Sequence, residues 1–385
     1  MGLEISPVAG RADLRAFIDL PYRLYSEAPL WVPPLRFDVK HRLDRSKNPF
    51  FEHAEAELYL ARRDGRVVGR ISAQVDRNFN EFQGNDWGLF GWFCAQDDPE
   101  AAKGLVDAAA QWLAARGRDR MVGPMSFTTN DEGLGTMVEG FERLPTILNQ
   151  WNPPGEGPLL EGTGLTKAMD INMWELRVTG RDKVHQAIWD VAADVEAKHG
   201  IVCRGMRKRD LEAEVGKFLE VYNAAWERNW GFVPLTDAEV RHYAKELRPV
   251  LDENWAMIAE RRDTGEVVGA ALTLPDYNQV LVKLRGRLLP FGWLKALRER
   301  KNIDRVRVFA LGVKPEYQHT GVAAKFYEMH FDAADRTPQH WGETGWILEV
   351  NKPMNRAMEG MGGHVVSKYR LYERVLVDGD VAPAS

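Results

Sequence analysis

The sequence contains few cysteines and no long apolar run. Only two cysteines, Cys94 and Cys203, occur in 385 residues, and they form neither a disulfide framework nor a metal-binding spacing. No apolar stretch is long enough for a membrane span, and the first residues lack the apolar core of a signal peptide. We therefore expect a cytoplasmic protein without integral membrane contact.

The acidic and basic residues nearly balance. The net charge is −5, which argues against nucleic-acid binding by bulk attraction. The sequence lacks a P-loop lysine motif and a Gly-x-Gly-x-x-Gly motif, so the key residues for binding nucleoside triphosphates or dinucleotides are missing. A length of 385 residues exceeds a single common-sized core and predicts two domains.

An internal repeat accounts for this length. Residues 61–69 (ARRDGRVVG) recur at 259–269 (AERRDTGEVVG), and 161–164 recur at 359–362, in each case about 200 residues later. Residues 17–25 match 218–226 in pattern, and Trp174 matches Tyr372, in the same order along the chain. The sequence therefore predicts two copies of one α/β unit, at 1–178 and 179–385.

Residues 306–324 have the pattern of a strand, a proline turn, a loop and a helix start. Gln318 to Ala323 place consecutive backbone N–H groups at the helix N-terminus, where the helix dipole favours an anion. Gly321 and Ala323 have no bulky side chain, so an anion can approach the main chain closely. Because the nucleotide motifs are absent, the best candidate anion is the pyrophosphate of coenzyme A.

This loop resembles the Gln/Arg-x-x-Gly-x-Gly/Ala loop of the GNAT family of N-acetyltransferases, with Gln318, Gly321 and Ala323 at the defining positions. The resemblance covers roughly residues 205–376. It implies an α/β fold of two tandem GNAT-like domains, each a mixed, mostly antiparallel sheet flanked by helices. It also implies an acyl-CoA-dependent N-acyltransferase that moves an acetyl group from acetyl-CoA to a primary amine. The acceptor would be a small molecule or a peptide, and no metal is implied.

The resemblance also assigns residues to the coenzyme. The strand end would pair with the pantetheine arm, and the loop would hold the pyrophosphate. The residues concerned are Leu311, Gly312, Val313, Gln318, His319, Thr320, Gly321, Val322, Ala323 and Ala324. Asn351 and Asn355 either hydrogen-bond the coenzyme or cap the helix that follows the next strand.

Amine acylation also needs proton transfer, because an uncharged amine attacks and a thiolate departs. In the GNAT family the segment after the first helix lines the acceptor site, which makes Glu227 our preferred base, with Trp230 and Phe232 as pocket walls. Glu349 is a second candidate base or a salt-bridge residue. The resemblance implies that a backbone N–H near Val313 polarises the thioester carbonyl.

The sequence lacks a catalytic acid at the position where the GNAT family often has one. The family often places a tyrosine seven residues after the helix-starting asparagine, but Met358 occupies that position here and cannot donate a proton. Tyr372 or Tyr369 on the last strand would have to act instead. The departure from the family pattern leaves open a protein that binds the coenzyme without catalysis.

The first copy differs where the coenzyme would bind. Its fourth strand, predicted at 87–93, is followed by Cys94-Ala-Gln-Asp-Asp-Pro-Glu100 rather than by a glycine-containing loop. Asp97, Asp98 and Glu100 would repel a pyrophosphate at close range. We therefore predict a degenerate first copy that has lost coenzyme binding. Residues 123–135 are rich in turn formers and are either an acceptor loop or a plain connection.

The second copy contains an additional basic segment. Residues 283–307 include nine Lys or Arg residues against Glu299 and Asp304, which gives a local balance of +7. Phe291, Trp293 and the nearby leucines recur among them at helical spacing. The segment is a solvated helix docked by its apolar face, a lid or funnel for an acidic substrate, or a membrane-surface attachment.

Two further functions remain open at this stage. A sensor or scaffold that binds coenzyme A is consistent with the missing tyrosine, and a Fem-like aminoacyl transferase also has two such units. A metal site at His53, Glu55 and Glu57 is conceivable if that segment is a strand, but an exposed polar strand face explains it more simply. A homodimer is possible.

Overall fold

A computed structural model describes residues 2–130, 133–177, 181 and 184–376. The first half of the chain contains strands β1 (Leu3–Pro7), β2 (Ala54–Arg63), β3 (Arg66–Asp76), β4 (Trp87–Ala95), β5 (Arg120–Gly123), β6 (Thr136–Glu139) and β7 (Thr166–Arg177). Its helices are α1 (Gly10–Leu24), α2 (Arg36–Arg42), α3 (Arg77–Gln83), α4 (Pro99–Ala114) and α5 (Glu156–Glu161).

The second half contains strands β8 (Ile201–Gly205), β9 (Ala256–Arg261), β10 (Val267–Pro275), β11 (Arg305–Val313), β12 (Trp341–Leu348) and β13 (His364–Val375). Its helices are α6 (Gln186–His199), α7 (Leu211–Trp226), α8 (Asp237–Leu247), α9 (Asn278–Leu284), α10 (Gly292–Glu299), α11 (Val322–Arg336) and α12 (Lys352–Gly360). The helix predicted after the loop at 318–323 is confirmed, and the repeated segments at 61–69 and 259–269 form the turns of the β2–β3 and β9–β10 hairpins.

The described residues form two compact units that interleave along the chain. Unit 1 takes its residues from Met1–Ile171, Leu281–Gly292 and Ser367–Ser385, and unit 2 from Asn172–Val280 and Trp293–Val366. Most of β13 therefore belongs to unit 1, while β7 belongs to unit 2 from Asn172 onwards. The repeat boundary predicted after residue 178 lies outside the described residues.

Both units contain a mixed, mostly antiparallel sheet, as the sequence predicted. The strand order in unit 1 is β1-β2-β3-β4-β5-β13, and β6 pairs with β13. The order in unit 2 is β7-β12-β11-β10-β9-β8. The parallel pairs are β4 with β5 in unit 1 and β11 with β12 in unit 2. The fold is therefore α/β, with one parallel pair at the equivalent position of each unit.

A glycine at the same position of each copy lets a helix approach the sheet. A Cβ added at Gly69 would lie 2.7 Å from Leu105 of α4, and one added at Gly269 would lie 2.8 Å from Val322 of α11. Gly69 pairs with Ala95 at the end of β4, and Gly269 pairs with Val313 at the end of β11. The repeated glycine thus explains part of the sequence repeat, and it makes the ends of β4 and β11 equivalent.

Each sheet is covered by helices on both faces. In unit 1, α4 buries seven apolar residues on one face of the sheet, and α1 and α2 pack on the other. In unit 2, α11 and α6 pack on the face that carries Val313 and Gly269. Gly312 precedes Val313 and faces α7, because side chains alternate along a strand. Every residue of β10 is buried, as expected for a strand covered on both faces.

Candidate active site

Strands β11 and β12 of unit 2 separate halfway along their length. Their parallel ladder runs from Arg305 opposite Trp341 to Val308 opposite Thr344. Both strands then continue, to Val313 and to Leu348, while β11 stays paired with β10 on its other side. Within the described residues, the last part of β11 therefore has one edge without a ladder partner, and that edge can accept an extended ligand.

The hydrogen-bonding direction of this edge follows from the β10–β11 ladder. The N–H group of Lys314 donates to the carbonyl oxygen of Val268 at 2.9 Å. Because successive residues of an antiparallel strand alternate in direction, the backbone groups of Leu311 and Val313 point to the unpaired edge. Consistently, the side-chain amide of Gln318 lies 3.5 Å from the carbonyl oxygen of Val313 on that side. The edge therefore presents two N–H groups to a bound group.

A buried arginine lies where the two strands separate. The side chain of Arg307 is fully buried, and its guanidinium carbon lies 4.6 Å from the ring centre of Trp346 and 5.6 Å from that of Phe309. Its Nη2 atom lies 3.5 Å from the carbonyl oxygen of Gly345, the first residue after the ladder ends on β12. Stacking on aromatic faces suits the planar guanidinium. Arg307 and the two rings thus pack together where the strands separate, and we call this group the Arg307 wedge.

The loop after β11 leads into α11, and in the described residues the N-terminus of this helix has no side-chain cap. Residues Pro315–Thr320 form a 3-10 turn, Gly321 adopts φ +83, and α11 begins at Val322. Among the described residues, no side chain caps this N-terminus, so its first N–H groups are available to an anion. Gln318 and His319 are exposed at the loop surface. The strand, turn and helix start that the sequence predicted at 306–324 are therefore present, and pyrophosphate binding at this loop stays a prediction.

The ten residues assigned to the coenzyme on β11 and the loop lie together in unit 2, but their side chains differ in role. Val322 is fully buried in the core under α11, and the Thr320 hydroxyl donates to the carbonyl oxygen of Tyr317 at 2.6 Å. At Gly321 an added Cβ would lie 2.5 Å from Val191 of α6. These positions offer their main chain to a ligand, and their side chains hold the loop in place.

An aromatic stack covers the other face of β11. A Cβ added at Gly312 would overlap the Trp226 ring, so glycine is needed for this contact. Trp226 stacks on Tyr222 with ring centres 4.9 Å apart, and Tyr222 in turn lies 5.5 Å from the buried Phe232. Glu227 follows Trp226 at the end of α7, and its side chain is exposed. Glu227 is thus next in sequence to the residue that covers β11.

The asparagines near α12 are engaged in local structure. The Asn351 side chain accepts from the Met354 N–H at 3.2 Å and caps α12. The Asn355 amide donates to the carbonyl oxygens of Leu348 and Asn351, both at 2.9 Å. Its oxygen accepts from two side chains of β7 within unit 2, Asn172 and Trp174, each at 3.1 Å. Asn355 therefore ties α12 to β12 and β7, and Asn351 has the capping role that the sequence left open.

Glu349 lies one residue beyond the end of β12, in a turn, and is half-buried. The strand β12 ends at Leu348, and the chain turns at Glu349 before α12 starts at Lys352.

The two tyrosines considered as the acid belong to unit 1, whereas the loop and β11 belong to unit 2. Tyr372 is fully buried, its hydroxyl donates to Glu161 at 3.2 Å, and burial raises its pKa. The Tyr369 hydroxyl donates to the carbonyl oxygen of Gln150 at 3.0 Å. Both hydroxyls have structural partners in unit 1, because most of the last strand lies in that unit. Met358 is buried against Trp174 and Ile347 in unit 2.

In unit 1 the equivalent position is filled by the protein itself. The β4–β5 ladder ends at Leu89 opposite Val122, but the Met125 N–H then donates to the carbonyl oxygen of Phe90 at 2.8 Å. A Cβ added at Gly91 would overlap the Met125 carbonyl. Residues 125–127 thus lie against residues 90–92, the first part of the stretch of β4 that corresponds to the open edge of β11.

The helix that follows β4 also differs from α11. The Asp98 carboxylate caps α4 by accepting from the Ala101 N–H at 3.1 Å, and it pairs with Arg63 at 2.7 Å. Of the acids that the sequence singled out, Asp98 caps the helix and Glu100 lies in its first turn. The negative charge lies where unit 2 leaves N–H groups free.

Other candidate features have local explanations. The His53 ring lies 2.9 Å from the Asp76 carboxylate, and the described residues contain no group of three or more His, Cys, Asp or Glu side chains that could hold a metal ion. In the same part of the chain, none of the helices has the length and apolar character needed to cross a membrane.

Known proteins resemble this chain in fold over nearly its whole length. A tandem GNAT protein from the clavulanic acid biosynthesis pathway is 14% identical, covers 100% of both chains and has a TM-score of 0.54. A GCN5-related N-acetyltransferase from Sphaerobacter thermophilus is also 14% identical, covers 99% of this chain and 98% of that one, and has a TM-score of 0.51. The protein is therefore a tandem GNAT-fold protein.

Two curated proteins are similar in sequence. The bacterial ceramide synthase of Caulobacter vibrioides is 38% identical over 97% of this chain and 98% of its own length. Protein YghO of Escherichia coli is 33% identical over 94% of this chain and 93% of its own. No protein-family model matches the sequence. The chain belongs to the same family as these two proteins.

The sequence did not identify the Arg307 wedge or the cover that Trp226 provides over Gly312. A sequence signal existed for the second, since a glycine near the end of an apolar strand often marks a close approach by another group. No such signal exists for Arg307. It lies in a basic segment whose other cations are mostly exposed, so nothing in the sequence distinguishes it from them.

Proposed function

We propose that the protein is an acyl-CoA-dependent N-acyltransferase whose coenzyme binds in unit 2. The observation that carries this proposal is the uncapped N-terminus of α11 beside the open edge of β11. Pantetheine is an extended arm with amide groups, which suits such an edge, and pyrophosphate suits free N–H groups at a helix N-terminus. Unit 1 would serve as a structural partner without a coenzyme of its own.

The reaction would form a carbon–nitrogen bond and break the carbon–sulfur bond of the thioester. The amine nitrogen attacks the thioester carbonyl, the coenzyme thiolate leaves, and the proton lost by the amine balances the proton gained by the thiolate. One N–H group of this edge, near Val313, would stabilise the negative charge that develops on the carbonyl oxygen, and the other would pair with the pantetheine arm.

Glu227 remains our preferred base, because it is exposed and adjoins the aromatic cover of β11. Glu349 is the second candidate. We do not assign the acid to Tyr372, since its hydroxyl is buried and bonded to Glu161 in unit 1. The thiolate would take its proton from water or from the protonated base. Glu227→Gln should lower kcat by about 100-fold with little change in KM, whereas Glu349→Gln should leave kcat within about threefold.

For the substrates, we propose a long-chain acyl-CoA as donor and a long-chain amino alcohol as acceptor. Support comes from the bacterial ceramide synthase, which is similar over nearly the full length of both chains, because a ceramide is such an amino alcohol acylated on nitrogen. The resemblance to the GNAT family alone implied acetyl transfer, so the length of the acyl group is the part of the proposal to test first.

The test is an assay of the purified protein with acetyl-CoA or palmitoyl-CoA as donor and sphinganine or ethanolamine as acceptor. Thiol release and product mass are both measured. We expect N-palmitoylsphinganine as the main product. If only the acetyl group is transferred, the donor is acetyl-CoA, as the resemblance to the GNAT family implied. Binding without turnover of any pair would favour a coenzyme sensor or scaffold, and dependence on charged tRNA would indicate a Fem-like aminoacyl transferase.

A further inference from the structure

The basic segment exposes its apolar side chains. Eleven large hydrophobic residues are exposed among the described residues, and five of them lie between positions 289 and 297. They are Leu289 at 78%, Phe291 at 73%, Trp293 at 45%, Leu294 at 49% and Leu297 at 49% exposed. Single exposed apolar residues are normal on a protein surface, but such a concentration marks an interaction site.

Helix α10 has the reverse of the usual orientation for a surface helix. It exposes Trp293, Leu294 and Leu297, and the buried member of the helix is Glu299. The Glu299 carboxylate accepts from the side chain of Asn302 at 3.2 Å. This contradicts the sequence-based interpretation of a solvated helix docked by its apolar face.

The same stretch of chain is strongly positive. Residues 285–301, which we call the basic–apolar segment, contain one acid, Glu299, and six exposed cations: Arg285, Arg287, Lys295, Arg298, Arg300 and Lys301. The local charge is therefore +5, in a chain with a net charge of −5. A positive segment that projects aromatic and leucine side chains is complementary to a surface that is both anionic and apolar.

The first part of the segment is anchored in unit 1. Leu284 is buried, and a Cβ added at Gly286 would lie 3.0 Å from Tyr22 of α1 and 3.2 Å from the carbonyl oxygen of Pro34. The Tyr22 hydroxyl donates to that same oxygen at 2.6 Å. The base of the loop is thus packed, while its tip at Leu289 and Phe291 is exposed.

Residues of α2 extend this surface of unit 1. Phe37 is 58% exposed, and with Arg36 and residues 286–289 it lines an open hollow of about 390 Å³. Arg36 pairs with Asp19 and lies over the Tyr22 ring at 3.8 Å. Its pKa is lowered, first by burial and then by the positive charges of Arg287 and Arg15. Positive charge therefore collects beside the exposed Phe37 and Leu289.

We propose that the unit 1 part of the basic–apolar segment, residues 285–292, attaches the protein to the surface of an anionic lipid bilayer, with Leu289 and Phe291 entering the headgroup region. The cations of the segment attract the anionic headgroups. Moving the apolar side chains out of water lowers the free energy of the bound state. The inference rests on the proposed function in one respect, since long-chain acyl and amine substrates partition into membranes. No spanning helix is needed for such attachment.

The test is vesicle flotation of the full chain without substrates, so that its outcome does not depend on catalysis. Vesicles of phosphatidylcholine are compared with vesicles that contain about one third phosphatidylglycerol, at low and high salt. We expect the protein to float with the anionic vesicles and to be released by salt. L289S/F291S and R285E/R287E should each reduce the bound fraction at least about tenfold.

Two control variants make the test specific. V375S removes an apolar side chain that is 59% exposed elsewhere in unit 1, and R207E/K208E reverses two exposed cations elsewhere in unit 2. Both should float like the wild type, and L289S/F291S should still turn over detergent-dispersed substrate. Equal flotation of all variants, absence of binding to anionic vesicles, or self-association of the wild type that L289S/F291S abolishes would overturn the proposal.

Discussion

Units 1 and 2 share the strand order up to their fourth strands, β4 and β11, although α10 has no counterpart before β4, and they then differ in how the end of that strand is completed. In unit 1 the chain after β5 returns to β4, and Asp98 caps the next helix. Within the described part of unit 2 the edge of β11 stays open, and α11 starts at Val322 without a side-chain cap. Small local differences thus separate a closed α/β unit from one with room for an extended, anionic ligand.

The comparison also shows what a capping carboxylate does to a helix N-terminus. Its oxygen satisfies N–H groups that would otherwise bind a ligand, and its charge repels phosphate. Exchanging these features between the units should therefore change coenzyme binding in one unit and stability in the other.

The largest expected effect comes from adding a carboxylate to the first turn of α11. Ala324→Glu should weaken binding of acyl-CoA by about 100-fold or more, because the new charge lies where the pyrophosphate would bind. Stability should be unchanged or slightly higher, since an acid is favourable at a helix N-terminus. Calorimetric titration measures affinity and stoichiometry, and we expect one site per chain before the substitution.

Position 324 is a better choice than Gly321 for this test. Gly321 has φ +83 and contacts Val191, so a side chain there would disturb packing as well as binding. The matched control is Ala324→Gln, which adds similar bulk without charge. If Ala324→Glu binds acyl-CoA as tightly as the wild type, the coenzyme does not use this helix N-terminus.

The next effect concerns the chain that closes unit 1. Phe127 is buried and stacks on Phe50 with ring centres 5.1 Å apart. Phe127→Ala should lower the free energy of unfolding by about 3–5 kcal/mol through cavity formation. The stoichiometry of coenzyme binding should remain one, because Asp98 still caps α4. Chemical denaturation with titration of the folded variant checks both results, and a second site in Phe127→Ala would mean that the loop alone blocks unit 1.

Some of this contrast was predictable from the sequence. The acids after β4 and the glycine loop after β11 are local signals, and the structure places a capping acid at the first helix start and a glycine at the second, while coenzyme binding at either stays a prediction. The β2–β3 and β9–β10 hairpins were predictable for the same reason, since their turn residues lie between alternating strands.

The remainder depends on contacts between distant parts of the chain. Most of β13 lies in unit 1 and part of β7 lies in unit 2, so Tyr372 is not in the unit that contains the loop. No local sequence pattern indicates this exchange of strands. The return of residues 125–127 to β4 is equally non-local. Arg307 becomes a wedge only because two aromatic side chains from separate strands meet its guanidinium.

The units should also respond to pH in opposite directions. Burial raises the pKa of Glu156 in unit 1 from 4.5 to about 8, so the folded unit keeps a proton that the unfolded chain has lost. Its contribution to stability therefore falls as pH rises between these values. Burial lowers the pKa of His330 in unit 2 from 6.5 to about 4. The unfolded chain then binds a proton that the folded unit does not, and stability falls as pH drops below 6.5.

Two variants isolate these groups. Glu156→Gln should flatten the pH dependence of unfolding between about pH 5 and 8, and His330→Gln should flatten it between about pH 4 and 6.5, each by on the order of 2 kcal/mol. Denaturant unfolding at a series of pH values measures the slopes. An unchanged slope in either variant would mean that the buried group titrates at its ordinary pKa.

The smallest expected effect separates two roles of Asn351. As a cap of α12, its loss in Asn351→Ala should lower the free energy of unfolding by about 1 kcal/mol, because the Met354 N–H loses its acceptor. Asn351→Asp keeps an acceptor and should restore most of the stability. If the side chain also binds the coenzyme, Asn351→Ala will weaken acyl-CoA binding by about tenfold, and Asn351→Asp will weaken it further through charge. We expect a change of less than about threefold in both, since the side-chain oxygen is already used by the helix.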